Sequence, residues 1–339
     1  GYKMSKIAVI GAGCWGTALA LTLDYNKHTV SLWSNEAEHV VYLNEHRENT
    51  QFLPGIPLPP TIKITGSLAE AAKDADGLVM VVPSHAVSAV SKKLVGLVPE
   101  NTVLISAAKG FDPNTFERMS QILRDNFPKN PVVVFSGPSH AEEVCIRKLT
   151  SIVAASDDEA VAAWVQRLFS NDFLRVYTNN DMVGVELGGA MKNIIAFACG
   201  VCYGVGCGDN TEAALLTRGL AEITRLGVAM GAQPSTFAGL AGIGDLVVTC
   251  GSLHSRNRRA GTMLGEGKSL DYVLEHMGMV VEGVNATKIG YQLAKKYGVE
   301  MPITETLYRV LFGDYSIQDA LNDLMKRRYK NESDMIYKK

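Results

Sequence analysis

Cysteine is scarce: six in 339 residues are too dilute for a disulfide framework, and a reducing, cytoplasmic setting is the simplest reading. Charge of one sign is not in excess either. The 33 Lys plus Arg stand against 35 Asp plus Glu, so no chain-wide basic character points to nucleic acid or an anionic membrane surface. There is no Pro/Ser-rich linker and no low-complexity tract, and with 47% hydrophobic and 20% charged residues the chain is neither disordered nor fibrous. Gly1 to Ile10 holds no basic region leading into a signal-peptide core, and Gly1 to Met4 are expected to carry little fold information. The most apolar long window, Leu187 to Gly208, contains Lys192 and Asn193 and is interrupted by glycines, so it reads as a buried helix and not as a membrane span.

What is present is an alternation. Lys6 to Ile10, Thr29 to Trp33, Gly77 to Val82, Thr102 to Ser106 and Pro131 to Phe135 are apolar, β-rich runs separated by longer segments, the pattern of a parallel sheet buried on both faces. Thr150 to Ala155 and Leu174 to Tyr177 read as further strands at the edge of that sheet. After about Met182 such runs become scarce, and Ala, Leu and Gly dominate long segments such as Val183 to Ala198 and Asn210 to Met230. Asn285 to Lys296, Thr304 to Leu311 and Ser316 to Lys326 supply more helices, the last with Ser316 and Asp319 spaced for a capping box. The expectation is an α/β fold: a Rossmann-like domain over residues 5–182, followed by a mainly α-helical C-terminal domain over 183–330.

Chemistry concentrates at a few places. Strand Lys6 to Ile10 runs into Gly11-Ala12-Gly13-Cys14-Trp15-Gly16 and then a helix. In that context Gly11 permits a tight turn, Gly13 lets backbone N–H groups approach a pyrophosphate and Gly16 lets the helix pack closely. The second strand ends Trp33-Ser34-Asn35-Glu36, where Ser34 or Asn35 can hydrogen-bond a ribose hydroxyl and no Arg or Lys awaits a 2′-phosphate, so NAD is favoured over NADP. Lys109 and the run Gly137-Pro138-Ser139-His140-Ala141 each follow a strand's carboxyl end, the expected sheet crevice, although a surface lysine and a plain turn would look much the same.

In the second half, Lys192 is the only charged residue between Leu187 and Gly208, and a buried ammonium demands a partner, water or substrate unless it snorkels out. As an amine it could take a hydroxyl proton while hydride leaves the adjacent carbon, and as an ammonium return it. Asp245, in Gly242-Ile243-Gly244-Asp245-Leu246, orients a lysine, binds a substrate hydroxyl or caps a helix. Ser255-Arg256-Asn257-Arg258-Arg259 combines donors suited to a phosphorylated small molecule, or forms a solvated turn. Cys199-x2-Cys202-x4-Cys207 lacks a fourth ligand of the right kind and is rejected as a zinc site, with no metal expected elsewhere.

Taken together and in order, these segments, with Ala108-Lys109-Gly110, Met191-Lys192-Asn193 and Glu282-Gly283, resemble the NAD(P)-dependent glycerol-3-phosphate dehydrogenase family over Lys6 to about Leu324. The resemblance implies interconversion of sn-glycerol 3-phosphate and dihydroxyacetone phosphate by hydride transfer at C2, supplying phospholipid synthesis, in a cytoplasmic homodimer with no nucleic acid or integral membrane association. It implies Lys192 as general acid/base, Lys109 on the C2 oxygen and Asp245 orienting both. Arg256 and Asn257 would grip the phosphate, and Gly137, Ser139 and Ser255 would complete the substrate envelope. Gly11, Gly13, Cys14, Trp15, Gly16, Ser34, Asn35, Lys109, Ala141, Arg256, Val281 and Glu282 would lie along NAD or NADP. Two departures stand out: Asn35 where an Arg is common in the bacterial pattern, and Cys14 where Ser is common. A dehydrogenase of another small hydroxy acid or sugar acid, and a dinucleotide-binding redox sensor without turnover, are the competing readings.

Overall fold

β1 (Lys6–Ile10) and β2 (Thr29–Trp33) are short, mainly apolar runs buried from their second residue onward, and that double-sided burial requires a sheet covered on both faces. The computed structural model describes residues 3–252, 254–277, 281–326 and 331–332, so Gly1 and the C-terminal Ile336 to Lys339 lie outside the described residues. With β3 (Lys63–Thr65), β4 (Gly77–Met80), β5 (Val103–Ser106), β6 (Val132–Ser136), β7 (Thr150–Ala155) and β8 (Leu174–Asn179), they form one eight-stranded sheet in the order β3-β2-β1-β4-β5-β6-β7-β8. Ile10 stands beside Trp33 on one side and Met80 on the other, so β1 and β4 flank the point where the strand order reverses. In such sheets ligands bind outside the carboxyl ends of the strands at that crevice.

The sheet departs from an all-parallel reading at one junction. β6 and β7 pair antiparallel, whereas β7 and β8 are parallel again. The segment between β6 and β7 holds only the four-residue helix Ala141–Val144, too little to cross over the sheet face, so the chain turns back. β8 follows the helix α3 (Glu159–Phe169), whose Val165, Leu168 and Phe169 join the core beneath the sheet. Two further helices matter below: α1 (Cys14–Tyr25), directly after β1, and α2 (Ala37–His46), after β2.

The chain divides into two compact units, Gly1–Met182 and Val183–Lys339. Among its described residues the second unit is helical: α4 (Met182–Val205), α5 (Asp209–Ala229), α6 (Asp245–Gly251), α7 (Arg256–Gly265), α8 (Glu282–Tyr297), α9 (Pro302–Phe312) and α10 (Ile317–Met325). The apolar window of α4 is entirely buried inside the protein, as expected for a core helix. α4 crosses α7 with their backbones nearly touching. A Cβ on Gly200 or Gly204 would lie 2.1 or 2.3 Å from the Arg258 or Thr262 carbonyl oxygen, and one on Gly261 or Gly265 would lie 2.1 or 2.2 Å from that of Phe197 or Val201. α9 is held from outside itself: the buried Glu222 carboxylate of α5 accepts from the N–H groups of Ile303 and Thr304 and from the Thr304 hydroxyl, at 2.9, 3.1 and 2.7 Å. That burial pushes the Glu222 carboxyl above its ordinary range. Ser316 caps α10 by accepting from the Asp319 N–H at 3.0 Å.

Candidate active site

At the end of β1, Gly11 takes φ +129°, a conformation that strains any side chain, and a Cβ there would sit 2.8 Å from the Val81 backbone. Gly16 is equally constrained, since a Cβ would come 1.9 Å from the Gly11 carbonyl oxygen. Gly13 differs from both. It is the N-cap of α1 without a side-chain cap, and a Cβ there would meet nothing within 4 Å. The loop therefore packs tightly on its inner side and leaves the first N–H groups of a twelve-residue helix without a side-chain cap on its open side, the cradle a pyrophosphate fits. Beside it, Cys14 and Trp15 pack with Ala141 and Val144. The Cys14 thiol donates to Glu142 Oε1 at 3.7 Å, and the buried Trp15 indole N–H has no partner among the described residues.

At the end of β2 the two residues expected near a ribose separate. Asn35 is exposed, whereas Ser34 is 6% exposed with its hydroxyl 3.0 Å from His39 Nδ1. Further along the sheet, Lys109 and the Gly137 turn come together: Lys109 Nζ donates to the Gly137 carbonyl oxygen at 3.1 Å, which also accepts from the Ser139 hydroxyl at 2.9 Å. Gly137 adopts φ +154° with its Cα hydrogen against Ile152, so the turn cannot carry a side chain without strain. The loops after β5 and β6 thus present an ammonium, a hydroxyl and small residues at the carboxyl edge of the sheet.

In the second unit, Lys192 lies mid-way along α4, 9% exposed, and donates to Asp245 Oδ1 at 2.6 Å. It does not snorkel. Asp245 is 1% exposed, is the first residue of α6 and follows a π-helical turn over Leu240–Gly244, a geometry often found at functional sites. Thr249, one turn on, adds its hydroxyl to the same oxygen at 3.4 Å. Removing one partner of such a pair leaves a buried charge uncompensated, about 3–5 kcal/mol, so the arrangement is held firmly.

The N-terminus of α7 resolves the arginine-rich patch into separate tasks. Ser255 caps the helix by accepting from the Arg258 N–H at 3.2 Å. Arg258 itself meets Glu212 at 3.6 Å, Arg259 is exposed and Arg256 is half-buried. Asn257 donates to Asn193 Oδ1 at 3.0 Å and accepts from the Gly283 N–H at 2.7 Å, so one amide ties the residue after Lys192 to the first turn of α8, next to Val281 and Glu282. Asn193 had carried no role of its own in the sequence. The four cysteines of this unit are free thiols, and burial together with neighbouring Cys207 and Cys199 pushes Cys202 up to about 12.

Two family descriptions match the chain, the NAD-dependent glycerol-3-phosphate dehydrogenase N-terminus over residues 6–162 and its C-terminus over residues 181–322. The chain is 52% identical over 336 residues to the NAD(P)+ glycerol-3-phosphate dehydrogenase of Bacillus cereus (strain G9842), covering 98% of this chain and 99% of the relative. It is 49% identical over 332 residues to that of Enterococcus faecalis, covering 97% and 98%. A crystal structure of glycerol-3-phosphate dehydrogenase from Coxiella burnetii matches with a TM-score of 0.92 at 37% identity, over 96% of this chain and 99% of that one.

Proposed function

The chain belongs to the NAD-dependent glycerol-3-phosphate dehydrogenase family, and from that membership we propose that it interconverts sn-glycerol 3-phosphate and dihydroxyacetone phosphate, with Lys192 as general acid/base. The observation that carries this reading is the buried Lys192 to Asp245 contact at 2.6 Å. NAD or NADP, when bound, would supply the hydride acceptor or donor. As the C2 hydrogen leaves with its electron pair, the Lys192 amine takes the proton of the C2 hydroxyl, and the ammonium so formed is stabilised by Asp245. In the reducing direction the ammonium returns that proton to the C2 oxygen. Lys109 holds and polarises the C2 oxygen. Arg256 binds the phosphate in bidentate fashion, Asn257 holds its surroundings in place, and phosphate binding contributes orientation at the reacting carbon. Gly137, Ser139 and Ser255 complete the substrate envelope.

NAD or NADP would be held by Gly11, Gly13, Cys14, Trp15, Gly16, Lys109, Ala141, Arg256, Val281 and Glu282, with Ser34 or Asn35 at the adenosine ribose and NAD preferred. The enzyme works as a cytoplasmic homodimer whose product in the reducing direction feeds phospholipid synthesis.

The test follows absorbance of NADH and of NADPH with dihydroxyacetone phosphate at neutral pH, for the wild type and Lys192→Ala. Loss of a positioned acid lowers kcat by about 10²–10⁴-fold. A Lys192→Ala enzyme within tenfold of the wild type refutes the acid/base role. Equal use of unphosphorylated dihydroxyacetone refutes the Arg256 assignment.

A further inference from the structure

Asn49 lies in the connection between α2 and β3 and is fully buried, with both its amide nitrogen and its oxygen engaged. Nδ2 stands 2.8 Å from the Ala12 carbonyl oxygen and 2.8 Å from Thr17 Oγ1. A carbonyl only accepts, so the nitrogen must face the glycine loop and Oδ1 must face His39 Nε2, 3.2 Å away. Nε2 therefore carries the proton. In the neutral imidazole Nδ1 is then an acceptor, and the Ser34 hydroxyl at 3.0 Å donates to it. The result is a relay with one direction, from Ser34 through His39 and Asn49 to the loop Gly11 to Gly16. It is braced on both flanks: the Asn49 carbonyl accepts from the Phe52 and Leu53 N–H groups, and the Phe52 ring meets the His39 ring edge-on at 5.7 Å.

The relay joins two places assigned above to the dinucleotide, the pyrophosphate cradle and the ribose end of β2, and the inference rests on that assignment. We propose that His39 and Asn49 are positioning residues that lock the glycine loop to the end of β2 and fix the polarity of the Ser34 hydroxyl. With its hydrogen committed to His39, Ser34 offers a ligand only lone pairs. It accepts from a ribose 2′-hydroxyl and opposes a 2′-phosphate, which is itself an acceptor and negatively charged. Discrimination between the two dinucleotides thus originates two residues deeper than the side chain that faces the ribose.

Isothermal titration calorimetry without substrate, using NADH and NADPH separately, tests this on the full chain. His39→Ala frees the Ser34 hydrogen to donate and shifts the NADPH-to-NADH affinity ratio toward NADPH by about tenfold, the worth of one hydrogen bond to a charged group. Asn49→Ala, which releases the glycine loop from the relay, weakens NADH and NADPH by similar factors. Should Asn49→Ala fail to fold, Ser34→Ala carries the test: in that background His39→Ala no longer changes the ratio. A ratio unmoved by His39→Ala in otherwise wild-type protein overturns the proposal. A wild type that prefers NADPH overturns only the NAD preference, because the change on His39→Ala still decides the relay; a wild type that binds neither dinucleotide overturns both.

Discussion

Gly13→Ala separates folding from ligand binding at a single atom. Gly13 sits at φ −77° and ψ −166°, an extended conformation open to any residue, and an added Cβ meets nothing within 4 Å. The folded state therefore loses no contact, and the gain of about 0.4–1 kcal/mol from a narrower unfolded ensemble is offset by the poorer helix N-cap that alanine makes, so stability changes by less than about 1 kcal/mol. The methyl group nevertheless occupies the open side of the loop, the proposed seat of the pyrophosphate, where an oxygen would come within about 2.7–3.2 Å of the backbone N–H groups. Losing two charge-assisted hydrogen bonds at roughly 1.5–3 kcal/mol each weakens NADH binding by about two orders of magnitude or more. Calorimetric unfolding and NADH titration on the same sample give both quantities, with Gly16→Ala as the contrast, since its Cβ would collide with the Gly11 carbonyl at 1.9 Å and destabilise the fold itself. Wild-type affinity in Gly13→Ala, or a Tm loss as large as that of Gly16→Ala, refutes the assignment of the open side to the dinucleotide.

Gly261→Ala forces α4 and α7 apart against a 2.1 Å approach to the Phe197 carbonyl and should cost about 1–3 kcal/mol or more in denaturant unfolding; a change under about 0.5 kcal/mol would show that the crossing yields freely. His28 gives a pH signature. Its Nδ1 accepts from the Ser5 N–H at 3.1 Å, and burial holds the imidazole below its ordinary 6.5. A depressed value stabilises the fold above 6.5, and that stability drains as pH falls toward the folded value because the unfolded chain takes the proton first. Below pH 6.5 the wild-type Tm should therefore fall more steeply than that of His28→Gln, and parallel profiles would sink the argument.

The strands that bury both faces announced themselves, because a run such as Ile7-Ala8-Val9-Ile10 has no other stable home. β3 did not: three residues at the sheet edge, one of them an exposed Lys63, carry too little pattern. The direction of β7 was equally silent, since it depends on how much chain is available to cross the sheet and not on the strand's own residues. In the site, a lone lysine in an apolar helix marked itself, whereas Asp245 carried three readings, orienting a lysine, binding a substrate hydroxyl or capping a helix, until the fold brought it to Lys192 across 53 positions. Asn49 and His39 were invisible for the opposite reason. His39 is an ordinary polar residue on α2 and Asn49 one in the connection after it, and only the Asn49 contact with Ala12, 37 positions earlier, joins them to the glycine loop.

The glycines of α4 and α7 show how composition misleads when read residue by residue. In isolation each glycine weakens a helix by about 1 kcal/mol relative to alanine, and together they make Leu187 to Gly208 look interrupted. In the fold α4 continues through Gly200 and Gly204 to Val205: Gly200 lies against the backbone of Arg258 and Thr262, and Gly204 against that of Thr262 and Gly265, with no side chain between the two backbones. Contact between backbones has no rotamers to relax, so the position of α7 along α4 is fixed more tightly than interdigitating leucines would fix it. Lys192 lies on α4 before the crossing and Arg256 opens α7, with Asn193 and Asn257 bonded at 3.0 Å beside them. The proposed proton donor Lys192 and the proposed phosphate grip Arg256 thus stand on two helices whose spacing is set by glycines and not by the charged residues themselves.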